Sequence, residues 1–219
     1  MAPLIEHVDG ERVPWLPGYQ VKIVDGNVIE ASEHRLKELR GVEAGALPGK
    51  SLVVYAPASG LVSDVFPCED GHAQERSLFT AVLNTVQAGD LWIADRNFCT
   101  REFLCDIDTR GASFVIRQHR GLPCEIVSPL HPLGRVETGH IAEQRVRVVE
   151  AQDGVHVYRR LRLKLNHPTR DGATLLSIVT NVPARSVSGK RVARLSHKRW
   201  TLETAFQYLE AYFHSEINT

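Results

Sequence analysis

A short stretch near the middle of the chain, Asp90-Leu91-Trp92-Ile93-Ala94-Asp95-Arg96-Asn97-Phe98, limits the folds open to it more than any other. Leu91 to Ala94 is apolar without a break, too short for a helix, preceded by Gly89 and closed by an acid. A run without alternation predicts a strand buried on both faces, the middle of an α/β sheet. Ligands of such sheets gather beyond the carboxyl ends of the strands, where Asp95 stands. An aspartate there can also simply cap the next helix, and both roles stay open at this point.

The rest of the chain allows such a sheet. Its 219 residues fit one large domain, or one domain with a sizeable insertion. With 43% hydrophobic and 24% charged residues it can bury a real core. No apolar run approaches the ~18–20 residues of a membrane span, and the N-terminus, with Glu6 and Asp9, lacks a signal-peptide pattern. Cys68, Cys99, Cys105 and Cys124 form no CxxC pair, so reduced thiols in a cytoplasm are expected rather than a disulfide frame or a zinc site.

Charge is balanced, 26 basic against 26 acidic side chains, which counts against an ordinary nucleic-acid-binding domain. It is also segregated. Arg185, Lys190, Arg191, Arg194, Lys198 and Arg199 fall in one stretch with His197 and no acid, whereas Asp64, Glu69, Asp70 and Glu75 fall in another with no Lys or Arg. That distribution suits metal-binding carboxylates facing a polyanion held by arginines.

In chain order, residues 1–19 carry Pro3, Pro14, Pro17 and Gly18 and predict an irregular lead-in. Val21 to Asn27 is a β-branched strand with Asp25 projecting at its end, and Val28 to Arg40 reads as a helix. Ser51–Tyr55 and Leu61–Phe66 form a hairpin across a Pro/Gly-bearing loop. A helix from Ala73 to Val86 precedes the buried strand, and Phe103–Ile107 and Ser113–Arg117 give a short helix and a fifth strand. The order strand, hairpin, helix, strand predicts an α/β, ribonuclease-H-like mixed sheet flanked by helices, which by itself fixes no function.

Residues 119–172 change character, with strand alternation in Gln144–Val149 and Val155–Leu165, and predict an inserted antiparallel β subdomain. Thus 20–118 forms the first part of the core and 173–219 its last strand, Leu175–Thr180, and closing helix, Lys190 to Phe213. Leu195, Leu202, Phe206, Leu209 and Phe213 make the apolar stripe of that helix. At ~100° per residue Glu203 lies on the stripe's flank, with Arg199 one turn earlier on the same side.

Asp25, Asp95 and Glu203 are three hard oxygen donors from three elements, a set that can hold two Mg²⁺ or Mn²⁺ ions. Asp64 is an alternative to Asp25, and His72 beside Glu69 and Asp70 is the one histidine singled out as a candidate ligand. Val24-Asp25-Gly26-Asn27, Ile93-Ala94-Asp95-Arg96-Asn97-Phe98, Arg199-Trp200-Thr201-Leu202-Glu203-Thr204-Ala205-Phe206 and Glu69 to Ser77 resemble the DDE transposases of bacterial insertion sequences, in the branch with a long β insertion before the final glutamate. The resemblance runs from about residue 20 to the end. It implies that Asp25, Asp95 and Glu203 are catalytic metal ligands and that Arg199 contacts the DNA backbone near the transposon end. Trp200, Lys198, His197 and Arg96 join Arg199 as candidate DNA contacts, with packing as the other role open to Trp200.

The chain departs from that branch at two positions: a tyrosine three residues before the arginine is here Ser196, and a lysine seven after the glutamate is Glu210. With its end at Asn218-Thr219 and no separate N-terminal DNA-binding module, it is expected to be a truncated transposase. Its partners are then double-stranded DNA and a second copy in a DNA complex, with no membrane. A catalytically silent fragment that binds DNA or a full-length transposase, and a ribonuclease-H-type nuclease acting on hybrids, are the competing expectations.

Overall fold

The computed structural model describes residues 14–28, 50–68, 75–149, 154–169 and 171–199. Ten strands form one mixed sheet in the order β3-β2-β1-β4-β5-β10-β9-β8-β6, with β7 also paired to β8. β1 (Gln20–Val28), β2 (Lys50–Ala56) and β3 (Leu61–Cys68) are an antiparallel meander. β4 (Asp90–Ala94) runs parallel to β1, and β5 (Ser113–Arg117) parallel to β4. β10 (Leu175–Thr180) returns antiparallel beside β5.

The expected double burial of β4 holds. Leu91, Trp92 and Ile93 are fully buried, Trp92 in an apolar cluster on one face and Leu91 and Ile93 in a second cluster on the other. The first face is covered by α1 (Phe79–Leu83, after a 3-10 turn at Glu75–Leu78) and α2 (Arg101–Thr109), whose Phe79 and Phe103 pack with Phe98 at centroid separations of 4.8–5.7 Å. The second face is covered by α3 (Gly189–His197), which buries Val192, Ala193 and Leu195.

Two elements differ from expectation. β1 continues three residues past Asp25 because Asp25 to Val28 pair with Val53 to Lys50 of β2. α1 is shorter than the predicted helix, because Thr85 Oγ1 donates to the Val82 carbonyl and a turn through Gly89, at φ +88°, leads into β4. The predicted helix over 28–40 lies outside the described residues beyond Val28, as does the closing helix after Arg199. His72, Glu69 and Asp70 also lie outside them.

The inserted segment supplies β6 (Glu125–Ile126), β7 (His131–Val136), β8 (Gly139–Val149) and β9 (Val155–Leu165). β9 pairs along the whole of β10, so these strands extend the core sheet. Arg159 binds the insertion to the approach to α3: its guanidinium donates to Glu143 at 2.8 and 2.9 Å and to the carbonyls of Val182 and Val187. Gly189 opens α3 against the same strands, and a Cβ there would run into Leu133, Glu143 and Leu161.

Candidate active site

Register brings the site together. Ile23 of β1 pairs with Ile93 of β4, which pairs with Val115 of β5. Two residues further on, period-2 alternation puts Asp25, Asp95 and Arg117 in one row on the face that carries α3. Asp25 and Asp95 therefore share a face and a level on neighbouring parallel strands, both half-buried. Asp64 is on β3, at the far edge and separated from β4 by two strands, about 14 Å away at ~4.8 Å per strand.

Asp95 combines the two roles open to it. Its Oδ1 accepts from Asn97 N–H at 2.8 Å and so caps the 3-10 turn Arg96–Phe98. Phe98, fully buried among the aromatic rings below the sheet, fixes that turn. Asp25 Oδ1 accepts from Gly26 N–H at 3.0 Å, and Oδ2 is ion-paired with Arg199 Nη1. Both partners of this pair are about 85% buried at their side chains, exposures being 15% and 14%. Arg199 follows α3 in a tight turn, its N–H bonded to the Ser196 carbonyl. The last described turn of the chain is thus laid against the first carboxylate, four residues before position 203.

Arg117 is the member of the row not singled out from sequence. Burial, and next the charge of Arg96, pull its guanidinium below the usual arginine range, while the nearby Asp171 and Asp95 act the other way. It remains a cation. Its signal was available: Arg117 ends an apolar run beside β4, as Asp95 ends its own. A cavity of about 330 Å³ opens beside the row, lined by Ala94, Arg117, Leu163, Leu176, Ser196 and Arg199 among others. Its walls come from β4, β5, the insertion and α3, so the insertion helps to enclose the carboxylate end of the sheet.

A family model described as "Transposase DDE domain" matches residues 16–218. The chain belongs to this family. No curated protein matches it. For a transposase DDE domain the remaining candidates distribute as follows. Arg96 is exposed next to Asp95, and its charge is felt at Arg117. His197 is exposed and lines the cavity. Lys198 turns to Trp15, its Nζ 4.5 Å from the ring centroid, a cation–π contact. Trp200 and Glu203 lie outside the described residues. Ser196, standing where the resembling branch has tyrosine, lines the cavity and leaves space a phenol would take up.

Asp25 and Asp95 are all-oxygen donors, the chemistry that suits Mg²⁺ or Mn²⁺. Among the described residues no group of three or more His, Cys, Asp or Glu side chains comes together to hold a metal. The same residues contain no helix long and apolar enough to cross a membrane.

Proposed function

We propose that this chain is the catalytic domain of a DDE transposase and performs metal-dependent cleavage and strand transfer on insertion-sequence DNA. The observation that supports this best is the Asp25–Asp95 row on adjacent parallel strands, with Arg199 brought onto Asp25 from α3. Asp25, Asp95 and Glu203 would hold the two divalent ions, Glu203 completing the set from the turn after Arg199. Such ions, when bound, supply activation of the attacking water or hydroxyl and stabilisation of the leaving oxygen. The protein's own part is positional. Arg117 and Arg96 flank the carboxylates with planar donor forks that match a phosphate. Arg199 supports Asp25 and contacts the backbone of the transposon end, with His197, Lys198 and Trp200 beside it. Two copies acting on double-stranded DNA in the bacterial cytoplasm fit this reading.

Nicking of a supercoiled plasmid in Mg²⁺ tests it. Asp95→Ala should abolish nicking with the far-ultraviolet circular dichroism spectrum unchanged, and unchanged nicking by the variant rejects the reading. One observation favours a second reading, a fragment that binds DNA without cutting it: the Arg199 guanidinium already neutralises the Asp25 carboxylate. A wild-type chain that binds duplex but leaves the plasmid intact with Mg²⁺ and with Mn²⁺ would select that alternative.

A further inference from the structure

The insertion carries its cations differently on its two faces. On the face shared with the carboxylates, Arg159 is matched to Glu143, Arg147 to Glu125 and Arg194 of α3 to Glu137, and the exposed Arg145 is the exception. The opposite face is built from the other register set. Arg135 of β7 pairs with His140 of β8, which pairs with Lys164 of β9. Arg162 and Arg160 follow along β9 on the same side. Among the described residues, Arg135, Arg162 and Lys164 make no ion pair, and Arg160 lies against the Gln144 amide. Arg135, His140 and Lys164 are exposed, and Arg162 is half-exposed. Neighbouring like charges on a sheet face destabilise it unless a counter-charge arrives.

We infer that this face, Arg135–His140–Lys164–Arg162, is a second DNA-binding surface that takes the sugar–phosphate backbone of a duplex away from the catalytic row. Adjacent strands place Arg135, His140 and Lys164 about 5 Å apart across the sheet, and Arg162 stands about 7 Å from Lys164 along its strand. That is an array of charges held on paired strands around a shallow cavity lined by His140, Arg162 and Lys164, suited to backbone contact. Pro132, Ala142, Ser177 and Leu175 are the other residues in these rows, and none is an aromatic platform on which single-stranded bases could stack. Binding here is therefore independent of base sequence and of divalent metal. It would let one domain hold flanking or target DNA on one face while its carboxylates act on the other.

Fluorescence anisotropy with a labelled duplex several helical turns long, in EDTA, tests the surface. The variant Arg135→Gln/Arg162→Gln/Lys164→Gln is compared with Arg110→Gln/Arg120→Gln/Arg147→Gln, which removes the same charge elsewhere. The first should bind at least roughly tenfold more weakly at about 50 mM salt, and its slope of log K against log salt should be shallower by about 2–3. The second should stay near wild type, and the same contrast should hold in the Asp95→Ala background. Equal losses in both variants, or none in either, overturn the inference. So does preference for a single-stranded oligonucleotide over the duplex. Recruitment to phosphatidylserine vesicles through the same three residues, with duplex binding untouched, also overturns it. Acetylation of Lys164 in the wild-type chain, read by mass spectrometry, needs no variant to fold: duplex should protect Lys164, and an unprotected Lys164 contradicts the proposal.

Discussion

In the proposed site Asp25 would answer two demands, an arginine partner and a metal, and the sharing has a measurable consequence. The guanidinium of Arg199 repels any cation that approaches the same carboxylate. Arg199→Gln should therefore tighten Mn²⁺ binding, by roughly threefold or more, while weakening duplex binding; weaker Mn²⁺ binding would show that Arg199 supports the ion site instead of competing with it. Cys99, just behind Asp95, gives a pH prediction. Burial pushes its thiol up from 9.0 to about 11. A raised acid contributes stability that is whole below its unfolded pKa and is lost as pH rises through the folded one. Unfolding free energy should then fall between about pH 9 and 11 by an amount on the order of 2–3 kcal/mol, and Cys99→Ala should flatten that fall in urea titrations. Neither residue's neighbourhood could be read locally from sequence. Arg117 ends an apolar run that is plain in sequence, but only the lateral register of β1, β4 and β5 makes it a neighbour of the two aspartates.

Each element near the site is held by one anchor. Phe98 pins the turn that Asp95 caps, so Phe98→Ala should cost about 3–5 kcal/mol in chemical denaturation and loosen Asp95 as well. Gly189 lets α3 sit against the insertion, and Gly189→Ala should lower the unfolding midpoint and weaken plasmid nicking together, because α3 delivers Arg199. The elements that sequence located best were the continuous apolar runs: β5 has the expected bounds, and so does β10. Burial on both faces writes itself into the middle of β5, Phe114 to Ile116, and into the second half of β10, Ile178 to Thr180. Where an element's end depends on a distant partner, as β1 depends on β2, or on a competing side-chain hydrogen bond, as α1 does at Thr85, local pattern ran too short or too long.

At the scale of the molecule, the ribonuclease-H-like order was legible because strand, hairpin, helix and strand succeed one another in sequence. The alternation of Leu161–Leu165 likewise announced an antiparallel insertion. That β9 would join β10, making the insertion one wall of the cavity beside Asp25 and Asp95 and an extension of the sheet, was not legible, since edge pairing is set by register between separate segments. The proposed metal site lies at the carboxylate end of β1 and β4. Calorimetric titration of Mn²⁺ into the wild-type chain and into Asp25→Asn, Asp95→Asn and Glu203→Gln measures whether three carboxylates act there as one site. Binding by the wild type, weakened at least roughly tenfold by each single substitution, is the expected result; wild-type affinity in any one of the three variants would contradict a shared metal centre.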